Sequence, residues 1–102
     1  MGNKKITIII NTFRSEDKIN NCLDTISIDY DVIIVENSNN NSFKNEIEKK
    51  YPNVKCVLTG ENLGYAKGNN LGLSMVRTPY ALILNPDASL EKDTIYNFLT
   101  LA

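Results

Sequence analysis

The chain has 102 residues, 42% of them hydrophobic and 23% charged, with a formal net charge of −1. That length suits one domain with an ordinary packed core, and the charge balance leaves no basic field for non-specific nucleic-acid binding. There is no histidine, which excludes a His-ligated zinc site, a Ser-His-Asp triad and a histidine pH switch.

Residues 4–11, KKITIIIN, are a β-branched run that is apolar on both faces, as in a covered parallel strand. Ser15 follows as a candidate helix cap, with Glu16 and Asp17 in the positive first turn. Ile19, Cys22, Leu23 and Ile26 then recur at helical spacing. Residues 30–37, YDVIIVEN, predict a second buried strand, and 38–42, SNNNS, a polar loop. Phe43, Ile47 and Tyr51 mark one face of a second helix, which Pro52 stops.

Residues 54–58, VKCVL, predict a short third strand, and TGENLG a loop with two turn glycines. A weaker helix is expected over 65–76, with Leu71 and Met75 one turn apart. Residues 79–84, PYALIL, predict the fourth strand, and Pro86 ends it because proline cannot continue a sheet ladder. Ile95, Phe98 and Leu99 give a last helix its apolar face. Cys22 and Cys56 each sit in an apolar pattern and read as reduced core thiols. ITIII is too short for a signal-peptide core, and no run of about eighteen apolar residues occurs. A cytoplasmic location with no transmembrane segment is the expectation.

The alternation β-α-β-α-β-α-β-α implies an α/β fold, a mostly parallel sheet with helices on both faces. Right-handed crossovers favour strand order 3-2-1-4, with the switch point between strands 1 and 4. Ligands in such sheets bind outside the carboxyl ends of the strands, which here carry Thr12, Glu36 and Asp87. Two carboxylates, a hydroxyl and several amides, without thiol or imidazole, make a hard-oxygen set. That set suits Mg²⁺ or Mn²⁺ with ligand phosphates completing the shell. Glu36 can accept hydrogen bonds from a base or ribose. Taken singly, each carboxylate is more often a turn or cap residue.

Gly60, Gly64, Gly68 and Gly72 are spaced by four. They match neither the dinucleotide fingerprint nor the Walker loop. One reading is a small-residue helix face packed closely on the sheet. The other is a loop and helix start whose amides and Lys67 approach a phosphate.

IIINTFRS, DVIIVENSNNNS, ENLGYAKGNNLGL and YALILNPDASL occur in the order and spacing of the family 2 glycosyltransferases. The resemblance covers essentially the whole chain and looks most like the bacterial rhamnosyltransferase and galactofuranosyltransferase subgroup. Its most specific part is the block from Asn62 to Gly72, followed by LNPD.

The resemblance implies a Rossmann-like GT-A nucleotide-binding half over residues 1–102. Its substrate-binding residues would be Thr12, Phe13, Arg14, Glu36 and Asn37 towards the nucleoside. Asn62, Gly64, Gly68 and Asn70 would wall the diphosphate and sugar. Lys67, at a position commonly small in relatives, is counted with the substrate-binding residues; its charge is either a private phosphate contact or solvated, the second being favoured. Glu36 stands where the family usually has Asp, which moves the acceptor by about one methylene. Asn85-Pro86-Asp87 matches the D-x-D position, with Asn85 towards ribose and Asp87 as the ligand of a divalent metal.

The implied activity is inverting, metal-dependent transfer from a nucleotide diphosphate sugar, UDP- or dTDP-linked, to a glycan or lipid-linked acceptor. A peripheral place at the inner face of the membrane would suit such an acceptor. The family's general base lies in the C-terminal half, so it is expected beyond residue 102. A chain ending at Ala102 reads as the donor-binding portion, with apolar surface that favours self-association.

Three rivals stand beside this reading. A sugar-phosphate nucleotidyltransferase needs a Gly-rich basic loop after strand 1, and NTFRSEDK has no glycine. A non-catalytic α/β nucleotide-binding or interaction module is the second, and its receiver-like form needs a lysine at a later strand, which strand 4 lacks. A fragment that folds and binds nothing is the third.

Overall fold

Four β-branched or aliphatic runs form the middle of the molecule; residues 6–10 and 32–35 are covered on both sides, while the third run exposes Lys55 on one face. The computed structural model describes residues 5–86 and the backbone of 99–100. The strands are β1 (Ile6–Thr12), β2 (Asp31–Glu36), β3 (Val54–Leu58), β4 (Tyr80–Leu84) and β5 (Leu99–Thr100). The helices are α1 (Glu16–Asp24), α2 (Asn41–Lys50) and α3 (Gly64–Ser74).

The sheet order is β3-β2-β1-β4-β5. The first four strands are parallel, and β5 adds antiparallel to β4 at the edge. The expected order 3-2-1-4 is therefore present, with one strand more. Leu99 lies in that strand and not in a helix, where it pairs with Ala81. Two residues cannot show a period, and pairing with an open sheet edge satisfies backbone groups that helical spacing in the sequence does not reveal. Ile95 and Phe98 lie outside the described residues.

Strand alternation divides the core into two layers. Ile6, Ile8 and Ile10, with Val32, Ile34, Val54, Cys56, Leu82 and Leu84, pack against α1 and α2 through Ile19, Cys22, Leu23, Phe43 and Ile47. The opposite face carries α3, where Gly72 sits directly over Ile9 and Val35. Ile8, Ile9 and Ile10 are all fully buried, which is why β1 needs no polar alternation.

α3 differs from the expected helix over 65–76. Its buried residues are Gly68, Asn69 and Gly72, while Leu71 and Met75 are only partly buried. Close approach to the sheet, and not side-chain hydrophobicity, selects this face. A Cβ on Gly72 would stand 2.6 Å from Ile9 Cγ2. The two readings of the glycines therefore divide by position. Gly68 and Gly72 are packing residues, whereas Gly60 and Gly64 hold positive φ of 80° and 83° in the preceding loop and first helical turn.

Two helix starts also depart from expectation. Ser15 occupies the N-cap position of α1 but makes no side-chain capping bond; its carbonyl accepts from Lys18 and Ile19. The polar stretch 38–42 is only partly loop, because Asn41 and Ser42 open α2 and the Asn40 side chain accepts from the Phe43 N–H at 3.1 Å. Asparagine is a strong cap, so this polar run contains a helix start as well as a turn. Cys22 and Cys56 are buried free thiols, as expected. Burial pushes the Cys56 thiol up to about 12.

The free edge at β3 is closed by α2. Lys44 Nζ donates to the Cys56 carbonyl at 2.6 Å, and the Cys56 N–H donates to Glu48 Oε2 at 2.8 Å. Lys44 and Glu48 also pair with each other at 2.8 Å. One helix thus supplies the donor and the acceptor that a neighbouring strand would otherwise provide, blunting an edge open to pairing.

Candidate functional site

The carboxyl ends of β1 and β2 are locked together by side chains. Thr12 and Glu36 are register partners, and Thr12 Oγ1 donates to Glu36 Oε1 at 2.5 Å. Ser38 Oγ donates to the other carboxylate oxygen, Oε2, at 2.6 Å. Glu36 is only 3% exposed. The two hydroxyls hold its carboxylate in place, and each oxygen keeps a further lone pair for a ligand donor.

The backbone repeats the stitching. Asn37 N–H donates to the Thr12 carbonyl at 2.8 Å, Thr59 N–H to the Glu36 carbonyl at 3.1 Å and Gly60 N–H to the Ser38 carbonyl at 3.0 Å. The segments following β1, β2 and β3 therefore form one connected rim.

Asn37 extends that rim to α3. Its amide donates to Asn11 Oδ1 at 2.6 Å and to the Thr12 carbonyl at 2.8 Å, while its Oδ1 accepts from the Leu63 N–H at 2.8 Å. Asn11 in turn donates to the Gly64 and Tyr65 carbonyls at 3.2 and 3.4 Å. Gly68 is the residue that makes room for Asn11, because a Cβ there would lie 2.7 Å from Asn11 Cγ. Asn62 accepts from the Gly64 N–H at 3.0 Å and closes the turn locally.

Of the expected site residues, Thr12, Glu36 and Asn37 belong to one buried network. Asn62, Gly64 and Gly68 are tied to it through the Asn11–Asn37 pair. Phe13 and Arg14 are exposed just past β1, with the Arg14 guanidinium 5.1 Å from the centre of the Phe13 ring. Asn85 is exposed at the end of β4, and its carbonyl accepts from the Cys22 thiol at 3.8 Å. Lys67 and Asn70 are exposed on α3. Asp87 lies outside the described residues.

Asn11 and Asn69 are absent from the expected site residues, and Ser38 is expected only as part of the family's pattern after Glu36. Alternation could have found Asn11, since it places that side chain on the α3 face, opposite Thr12. Asn69 is 5% exposed, and its Oδ1 is the one buried side-chain polar atom without a hydrogen-bond partner among the described residues. It is next to Asn70 in sequence, but only the helix phase shows that Asn69 faces inward.

Two cavities, about 320 and 430 Å³, lie elsewhere. The first is lined by Thr7, Lys55, Arg77 and Thr78 and the second by residues of α1 and α2. Neither includes Thr12, Glu36 or Asn85. The candidate site therefore rests on its side-chain chemistry and its place at the strand ends, not on enclosed volume.

The profile of "Glycosyl transferase family 2" matches residues 7–102. The chain belongs to glycosyl transferase family 2. A teichoic acid poly(glycerol phosphate) polymerase of Staphylococcus epidermidis is 32% identical over 93% of this chain and 14% of its own length. The low-salt glycan biosynthesis hexosyltransferase Agl10 of Haloferax volcanii is 29% identical over 94% of this chain and 32% of its own length. The chain thus spans under a third of either relative. Among solved structures, the mannosyltransferase PcManGT of Pyrobaculum calidifontis, in complex with GDP-Man and Mn²⁺, superposes with a TM-score of 0.77. It shares 22% identity over 91% of this chain and 30% of its own. That likeness establishes the GT-A fold of this family 2 glycosyltransferase segment. Among the described residues, no helix is long and apolar enough to cross a membrane.

Proposed function

We propose that residues 1–102 form the donor-binding half of an inverting, metal-dependent glycosyltransferase that takes a nucleoside diphosphate sugar. The observation that carries this reading is the rim at the carboxyl ends of β1 and β2. There Thr12 and Ser38 fix the Glu36 carboxylate, and Asn37 ties the 60–64 loop to it. A fixed acceptor beside the switch point of an open α/β sheet is the arrangement that orients a nucleoside.

In this reading Thr12, Phe13, Glu36 and Asn37 serve the nucleoside end, and Arg14 is a further donor-binding residue. Asn62, Gly64, Gly68 and Asn70 wall the diphosphate and sugar, and Lys67 remains solvated. Asn85 serves the ribose. Asn85 and Asp87 are hard-oxygen donors, and no group of three or more His, Cys, Asp or Glu residues suited to a metal occurs among the described residues. That donor chemistry fits Mg²⁺ or Mn²⁺ held by Asp87 with ligand oxygens, rather than zinc. When bound, the cation supplies charge neutralisation to the departing nucleoside diphosphate.

The base that deprotonates the acceptor hydroxyl lies beyond residue 102, and the acceptor is a glycan or lipid-linked polymer. The two relatives, named as a teichoic acid polymerase and a glycan hexosyltransferase, support an acceptor of the cell-surface polymer class. UDP- and dTDP-linked sugars are the first donors to examine, and GDP is the comparison that PcManGT motivates.

Calorimetry with UDP, dTDP and GDP, with and without Mn²⁺, tests the reading on this chain and on Asp87→Ala. One nucleotide binds, its affinity rises with Mn²⁺, and the rise disappears in the variant. A folded chain that binds none of the three at millimolar concentration sinks the proposal.

A further inference from the structure

We propose that Arg14 is the diphosphate-binding cation of this site, an assignment that rests on the donor-site reading above. Arg14 is the one non-glycine residue with positive φ among the described residues, at 54°. Glycine takes that conformation freely and an L side chain does not, so arginine here costs stability that glycine would spare. Backbone strain persists where the surroundings demand it, and it concentrates at functional sites.

A cation–π contact is all that the fold offers the guanidinium among the described residues. Among the described residues it has no carboxylate partner and no hydrogen-bond acceptor; its contact is the face of Phe13, 5.1 Å from the ring centre. The ring restrains the side chain by a cation–π contact and leaves the planar fork of N–H donors unspent. That fork matches phosphate oxygens, which it can bind in pairs.

Placement supplies the rest. Arg14 is two residues past the end of β1, the strand hydrogen-bonded to both β2 and β4. It therefore leaves the sheet beside the switch point at which open α/β sheets bind their ligands. Charge bookkeeping points the same way. A sugar-linked diphosphate is an anion, and the guanidinium's positive charge offsets part of it. Glu16 and Asp17 do not consume that charge, because they follow in the first turn of α1 and neither pairs with Arg14.

The test uses the isotope-labelled 102-residue chain and NMR titration. UDP, dTDP and GDP are compared with uridine, thymidine and guanosine, in Mg²⁺, alongside thermal melts. Arg14→Ala weakens the best nucleoside diphosphate about tenfold, as expected for a lost charge-assisted contact. Its effect on the matching nucleoside stays within about twofold. Arg14→Lys recovers part of the loss. Arg14→Gly melts at a higher temperature than the native chain yet binds the diphosphate as poorly as Arg14→Ala, a pairing that a merely structural residue would not give. Equal losses for diphosphate and nucleoside, or a more stable Arg14→Gly with unchanged diphosphate affinity, overturn the assignment while leaving the donor site standing. A native chain that binds none of the diphosphates overturns the donor site and the Arg14 assignment together.

Discussion

The Asn37 side-chain amide donates to Asn11 Oδ1 at 2.6 Å, and through this bond the end of β2 controls where α3 begins. Asn37 also holds the Leu63 N–H, and Asn11 holds the Gly64 and Tyr65 carbonyls. Two amides from neighbouring strands thus dock a loop and a helix that the sequence places more than twenty residues downstream.

Removing Asn37 should therefore loosen the 60–64 loop as well as the strand ends. Asn37→Ala leaves the Leu63 N–H and Asn11 Oδ1 without their partner, while the Thr12 carbonyl keeps the Asn37 N–H, at a cost of about 2–3 kcal/mol. Asn37→Asp costs at least as much, because a carboxylate can still accept from Leu63 but places negative charge against Asn11 Oδ1 and the Thr12 carbonyl. Urea unfolding checks the size of both losses. Hydrogen exchange checks the location, with the Leu63 amide gaining exchange rate more than amides in α2. Equal protection at Leu63 in the native chain and in Asn37→Ala would contradict the docking role.

The glycines of the α3 region should respond to alanine for different reasons. Gly72→Ala pushes a methyl against Ile9 Cγ2 at 2.6 Å and Val35 Cγ2 at 3.3 Å. Overpacking of that kind costs about 1–3 kcal/mol. Gly60→Ala meets open space but must hold a φ of 80°, a backbone cost of about 1 kcal/mol. Ile9→Val removes only Cδ1 and keeps the Cγ2 that meets the new methyl, so Ile9→Ala is the partner that relieves the clash. A double-mutant cycle from denaturant midpoints should show coupling between positions 9 and 72 and none between 9 and 60.

The closure of the β3 edge should carry a pH signature. Hydrogen bonding from Lys44 holds the Glu48 carboxyl below its ordinary value of 4.5, with the Cys56 N–H and nearby lysine charges adding to it and burial opposing it. A carboxyl lowered on folding contributes stability that is fully present above 4.5 and is lost as pH falls through its lower folded value. Glu48→Gln should therefore cost most at neutral pH, about 0.5–1 kcal/mol for a partly exposed pair. The difference from the native chain should shrink as pH falls below 4.5. Unfolding midpoints measured from pH 7 down to pH 3 check this, and a difference that stays constant over the range would remove Glu48 as the titrating group. Lys44→Ala with Glu48→Ala should also raise the apparent size in light scattering, because the Cys56 edge becomes free to pair with another chain.

Much of this architecture is legible in residue type and spacing alone. Continuous β-branched runs such as 6–10 and 32–35 can only be covered strands, and their alternation with helical spacing leads to a parallel sheet of order 3-2-1-4 with Thr12 and Glu36 at its carboxyl ends. What those side chains do there was decided by the tertiary structure. Glu36 is enclosed because Thr12 is its register partner and Ser38 folds back on it, and Asn11 becomes structural because α3 descends over β1 at Gly68. Asn69 turns inward while Asn70 turns out because one residue is about 100° of helix. Leu99 pairs with β4 because a sheet edge was available to it. Local sequence encodes periodicity and backbone preference, which specify elements. Partners drawn from strands and helices tens of residues apart exist only once the chain has closed, and they determine whether an amide or carboxylate holds the fold or faces a ligand.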